Sequence, residues 1–102
     1  MSQFVSVGKP EDVPDGQVRA FDVLGTPVAL ARVAGELHAF SDICTHRQCN
    51  LSASELDGTT IECECHGSVF DITTGAVLNG PATEPIDTFE VREEDGELQV
   101  GV

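Results

Sequence analysis

The chain has 102 residues, enough for one small domain. Its 5 Lys and Arg against 18 Asp and Glu give a net charge of −13, which opposes binding to nucleic acid or to an anionic membrane surface. A hydrophobic fraction of 40% is too high for a disordered acidic tail, so the chain folds. Turn signals then divide it: Asp15-Gly16, Gly25-Thr26-Pro27, Gly35, Asp57-Gly58, Thr74-Gly75, Gly80-Pro81 and Asp95-Gly96. Gln17–Val23, Thr26–Val33 and Glu36–Phe40 are expected as three strands joined by tight turns. Helical spacing of apolar residues is absent; only residues 50–56 could form a single short turn. Thr88–Arg92 and Glu97–Val102 flank Glu93-Glu94-Asp95-Gly96, a hairpin signal because Asp-Gly tolerates positive φ. The expected fold class is all-β.

The longest apolar run is Val28–Ala31, far short of the ~20 residues a membrane-crossing helix needs. The opening residues have neither the basic stretch nor the apolar stretch of a secretory signal, so the expected location is cytoplasmic. Residues 1–50 carry six acids and four bases. Residues 51–102 carry twelve acids and only Arg92, so the negative field is concentrated in the second half. That field serves either solubility or docking.

All four cysteines and two of the three histidines fall within 23 residues. Cys44-Thr45-His46 comes first, Cys49 follows, and then Cys63-Glu64-Cys65-His66. Cys-x-His, a 16-residue spacer and Cys-x-x-His offer two thiolates and two imidazoles to metal. Tetrahedral zinc is one reading. Zinc fingers, however, usually pair Cys with Cys and His with His, whereas each segment here supplies one of each. The other reading is unrelated buried thiols and surface histidines, which two Cys-His pairs in so short a span make improbable. His38 lies outside both segments and reads as an ordinary strand residue.

The mixed pairing, with His66-Gly67-Ser68 after the second segment, resembles the Rieske [2Fe–2S] ferredoxins. The likeness extends over nearly the whole chain. It implies a small antiparallel β fold in a single domain 1–102, with a base of residues 1–41 and 80–102 and a cluster-binding subdomain of 42–79. It also implies one [2Fe–2S] cluster, with Cys44 and Cys63 on the inner iron and His46 and His66 on the outer one. Residues 79–81, including Pro81, would form a third loop over the cluster. An oxidised core with four thiolates has charge −2; with two thiolates and two neutral histidines it is 0. Rieske centres accordingly lie at ~−150 to +300 mV, against ~−400 mV for plant-type ferredoxins.

The resemblance supplies further expectations. In cytochrome-bc-type Rieske proteins, cysteines at the offsets of Cys49 and Cys65 form a disulfide, and a bridge is expected here. Two buried free thiols are the alternative, which a reducing compartment favours. Ser68 matches a serine that donates to a bridging sulfide. Phe70 stands where those proteins carry a tyrosine that donates to a cysteine sulfur, so one of two donors is kept. Arg47, following His46, reads as surface solvation or as a contact to a redox partner. The implied role is a one-electron carrier, not an enzyme, between a flavin-dependent reductase and a Rieske non-haem iron oxygenase of aromatic hydrocarbon catabolism. A small Rieske module of another reductase complex, or a zinc-stabilised interaction domain, is the alternative.

Overall fold

A computed structural model describes residues 3–44, 49–65, 67–80 and 82–101. Ten strands are formed among them: β1 Phe4–Gly8, β2 Val18–Val23, β3 Thr26–Val33, β4 Glu36–Ser41, β5 Leu56–Asp57, β6 Thr60–Glu62, β7 Val69–Asp71, β8 Val77–Asn79, β9 Thr88–Glu94 and β10 Glu97–Gly101. Two short 3₁₀ turns, Pro10–Asp12 and Leu51–Ala53, are the only helical elements among the described residues. The fold is all-β, as expected. Six strands form one sheet in the order β1-β10-β9-β4-β3-β2, and β5-β6-β7-β8 form a second. Every pairing is antiparallel. The edge strands β1 and β2 return against each other, so the larger sheet curls towards a barrel.

The hairpin turns follow from backbone chirality. Leu24-Gly25, Ala34-Gly35 and Asp95-Gly96 all have positive φ at both positions. That conformation matches the twist of the flanking strands and favours glycine second. Asp22 and Asp15 brace two of these turns by accepting from the Gly25 and Gly35 amides at 2.7 and 2.8 Å.

β3 lies between two cores, which explains the longest apolar run in the sequence. Val28 and Leu30 face the inside of the larger sheet with Val13, Val23, Ala39, Leu98 and Val100. Ala29 and Ala31 face the second core with Phe40, Leu51, Ile61, Phe70 and Ile72. The stretch Val28–Ala31, covered on both faces, is apolar at every position, and the alanines leave room for the second sheet. Arg32 ties the far end together, donating to the Val13, Gly35 and Pro10 carbonyls and pairing with Glu93 at 2.8 Å.

The observed boundaries differ from the expected ones at a few residues. Gln17 lies in a turn, with its amide donated to the Pro14 carbonyl, so β2 begins at Val18. β4 runs one residue further, to Ser41, and β9 continues to Glu94. The turn expected within 50–56 is the Leu51–Ala53 turn, after which β5 starts at Leu56.

Candidate metal centre

Two loops bring the cysteines together. The first leaves β4 and returns through the Leu51–Ala53 turn. An isolated bridge pairs Ile43 with Asn50, and the Cys44 amide donates to the Cys49 carbonyl at 3.0 Å. The second loop closes the β6–β7 hairpin. There the Cys63 amide donates to the Ser68 carbonyl at 2.7 Å, and the Gly67 amide donates to the Cys63 carbonyl at 2.9 Å. Gly67 has φ +77, a conformation an L side chain rarely adopts.

A disulfide between Cys49 and Cys65 joins these loops, with the Cα atoms 6.5 Å apart. Cys44 and Cys63 stay reduced, one on each loop, and each is 2% exposed. The sulfurs of Cys49, Cys63 and Cys65 lie within 4.8 Å of one another, so the disulfide borders the place where the second loop offers its thiol. Leu51 and Phe70 are fully buried in the same apolar cluster as Cys44 and Cys63. A sulfur site walled in this way excludes water.

A third segment closes over the second loop. Ser68 is fully buried, and its Oγ accepts the Ala82 amide at 3.0 Å. The hydroxyl keeps its own proton for another acceptor. The segment returning from β8 is set by Gly75, which has φ +82 and whose carbonyl accepts the Ile86 amide at 2.9 Å. A Cβ at Gly75 would collide with the Ile86 carbonyl, so only glycine permits this approach.

Cys44 and Cys49 thus lie on the first loop, Cys63, Cys65 and Ser68 on the second, and Phe70 on β7 in the same apolar cluster as Cys44 and Cys63. His46, His66 and Pro81, together with Arg47, lie outside the described residues. His38 sits on β4 opposite Ala31, 4.0 Å from Glu36, as an ordinary strand residue. The sequence reading missed Asp42. This carboxylate is 1% exposed and is held by the first loop. Its partners, Asn50 and Ser52, are eight and ten residues away, so no local signal marks it.

Two reduced, buried cysteines on facing loops are suitable donors for iron–sulfur chemistry, since thiolate is the common ligand of such clusters. Residues 3–90 match the family model of the Rieske [2Fe–2S] domain. The chain is 37% identical over 98 residues to ferredoxin CarAc of Metapseudomonas resinovorans, covering 95% of this chain and 92% of that one. It is 39% identical over 85 residues to the ferredoxin component of the naphthalene 1,2-dioxygenase/salicylate 5-hydroxylase systems of a Ralstonia species, covering 83% and 82%. Among solved structures, the ferredoxin of carbazole 1,9a-dioxygenase from Nocardioides aromaticivorans IC177 superposes with a TM-score of 0.90 at 30% identity, covering 97% of each chain. A chain in the complex of reduced oxygenase and oxidised ferredoxin of carbazole 1,9a-dioxygenase gives 0.89 at 36% identity, covering 96% of this chain and 92% of that one. This chain therefore belongs to the Rieske [2Fe–2S] family and carries one cluster of that type.

Proposed function

We propose that the protein is a one-electron carrier that takes electrons from a flavin-dependent reductase and passes them to a Rieske non-haem iron oxygenase of aromatic catabolism. The observation that carries this reading is the pair of buried, reduced cysteines on two disulfide-joined loops, in a chain related to dioxygenase ferredoxins over most of its length. We assign Cys44 and Cys63 to the inner iron and His46 and His66 to the outer one. Residues 42–79 form the cluster-binding subdomain, and residues 1–41 and 80–102 form the base. Pro81 belongs to the loop over the cluster.

When bound, the cluster supplies a site that cycles by one electron near neutral charge. The chain's own contribution is to hold that site dry and fixed. Phe70 and Leu51 wall it, Ser68 offers a hydroxyl proton, and Cys49–Cys65 keeps the loops from parting. No described helix is long and apolar enough to cross a membrane. We place the carrier in the cytoplasm, where the flavin-dependent reductase would meet it.

Iron and acid-labile sulfide analysis tests the reading. Two irons and two sulfides per chain, with a red-brown colour, are expected. One zinc and no sulfide would overturn it. His46→Cys should lower the potential by adding negative charge to the site, and an unchanged potential would remove His46 from the ligand set.

A further inference from the structure

The first ligand loop is closed by a buried carboxylate outside the ligand set. Asp42 uses its backbone and its side chain together. Its amide donates to the Pro27 carbonyl at 3.1 Å, and its carbonyl accepts the Leu51 amide at 2.7 Å. Oδ1 accepts the Ser52 amide at 2.7 Å. Oδ2 accepts from Asn50 Nδ2 at 2.8 Å and from the Ser52 hydroxyl at 3.0 Å. One residue thus fastens β3 on one side and the returning limb of the loop on the other. Cys44 lies two positions further along, between these fixed points.

Loop closure alone does not call for a charge. Burying a carboxylate is costly unless hydrogen bonds compensate for the lost water. Here the described side-chain partners are neutral donors, which orient the anion but leave its charge in place. A charge two residues from a thiolate ligand cannot be far from the cluster, because two peptide units span at most ~7 Å. Being buried, it escapes most of the screening that weakens surface charges.

We propose that Asp42 is a positioning residue for electron transfer: it fixes Cys44 by closing the first loop, and its buried negative charge biases the cluster towards the oxidised form. This rests on the Rieske reading. A unit charge ~10 Å away at an effective dielectric constant of ~20 changes the one-electron equilibrium constant by roughly tenfold. Tenfold for one electron corresponds to ~59 mV.

The test compares the holoprotein with Asp42→Asn, Ser52→Ala and, as an exposed-carboxylate control, Asp57→Asn. Iron, sulfide and the visible spectrum are measured first; these examine the cluster reading independently of Asp42, and a cluster-free wild type would sink both. Each protein is then equilibrated with a redox dye of known potential. Asp42→Asn should shift the equilibrium roughly tenfold towards the reduced form, with Asp57→Asn within twofold of wild type. Ser52→Ala keeps the charge but removes a dipole that offsets it, so it should shift the equilibrium the opposite way. A loop that was merely loosened would move Asp42→Asn and Ser52→Ala in the same direction. That result, or an Asp42→Asn equilibrium equal to wild type, overturns the proposal. If Asp42→Asn does not retain two irons, Ser52→Ala decides: a shift towards the oxidised form supports the proposal, and no shift or the reverse refutes it.

Discussion

Ser68 offers the most direct test of how the chain sets the potential of its cluster. Its side chain is fully buried, and its Oγ already accepts the Ala82 amide at 3.0 Å. The hydroxyl proton is therefore left for another acceptor, on the loop that Ser68 shares with Cys63. A charge-assisted hydrogen bond is worth ~1.5–3 kcal/mol gross, and only the part that strengthens on reduction moves the potential. With ~1.4 kcal/mol per 59 mV, Ser68→Ala should lower the potential by some tens of millivolts, up to about 100. The same change strands the Ala82 amide, whose residue is 4% exposed. That should cost ~1–3 kcal/mol of stability. Phe70→Tyr works in the opposite sense: Phe70 is fully buried in one apolar cluster with Cys44 and Cys63, so a new hydroxyl facing sulfur should raise the potential by a similar amount. The double variant should give the sum if the two hydroxyls act on separate acceptors. Film voltammetry at one pH measures all three, and thermal unfolding reports the Ala82 cost separately. A Ser68→Ala protein that is less stable but has the wild-type potential would make the hydroxyl a brace only. A Phe70→Tyr potential at or below wild type would mean that the ring does not face the cluster.

The disulfide and an acidic turn give two further expectations. Alkylation of the native protein before reduction should leave Cys49 and Cys65 unmodified, and Cys65→Ser should load two irons but lose them faster on heating; two alkylated cysteines at the outset would contradict the bridge. The Thr73 hydroxyl beside Asp71, helped by the Thr73 and Thr74 amides, holds the Asp71 carboxyl below its ordinary value. The stabilisation is present above the ordinary carboxylate value and is lost as pH falls through the lowered one. Thr73→Ala should therefore move acid unfolding to higher pH, and an unmoved acid midpoint, read by circular dichroism, would count against it.

The parts of the fold that were legible in sequence are those built from local signals. β2, β3 and β4 are long enough to show their pattern, and the Gly25 and Gly35 turns mark their ends. The β9–β10 hairpin was legible through Asp95-Gly96. The second sheet was not, because β5 to β8 have only two or three residues each, too few for an alternation to be seen. β1 was not separately marked either; its register comes from β10, ninety or more residues away. The cysteines were legible because their chemistry is rare and their spacing specific. Asp42 was not, because one aspartate among the acids of this chain looks like surface until Asn50 and Ser52 close on it. Composition shows that charge is present; only packing shows which charge is buried.

That distinction separates two electrostatic roles in the molecule. The described cations, Lys9, Arg19, Arg32 and Arg92, all precede Cys44 or follow residue 90, and residues 49–91 contain no Lys or Arg. Glu55, Asp57, Glu64 and Glu84 are exposed on that cation-free stretch. At 0.1 M salt their fields decay over ~10 Å, so they act on an approaching charged surface more than on the cluster. Asp42 and Ser68 sit inside, where ions do not reach and the field falls slowly. Salt should then separate the two effects. Raising ionic strength from 0.05 to about 0.5 M should slow electron transfer from the proposed reductase severalfold while the potential stays nearly constant. Stopped-flow reduction and voltammetry over the same salt series would measure both. A rate indifferent to salt would leave the exposed acids as a solubility device. A potential that drifted in step with the rate would mean that surface charge, and not the buried groups, sets the potential of the cluster.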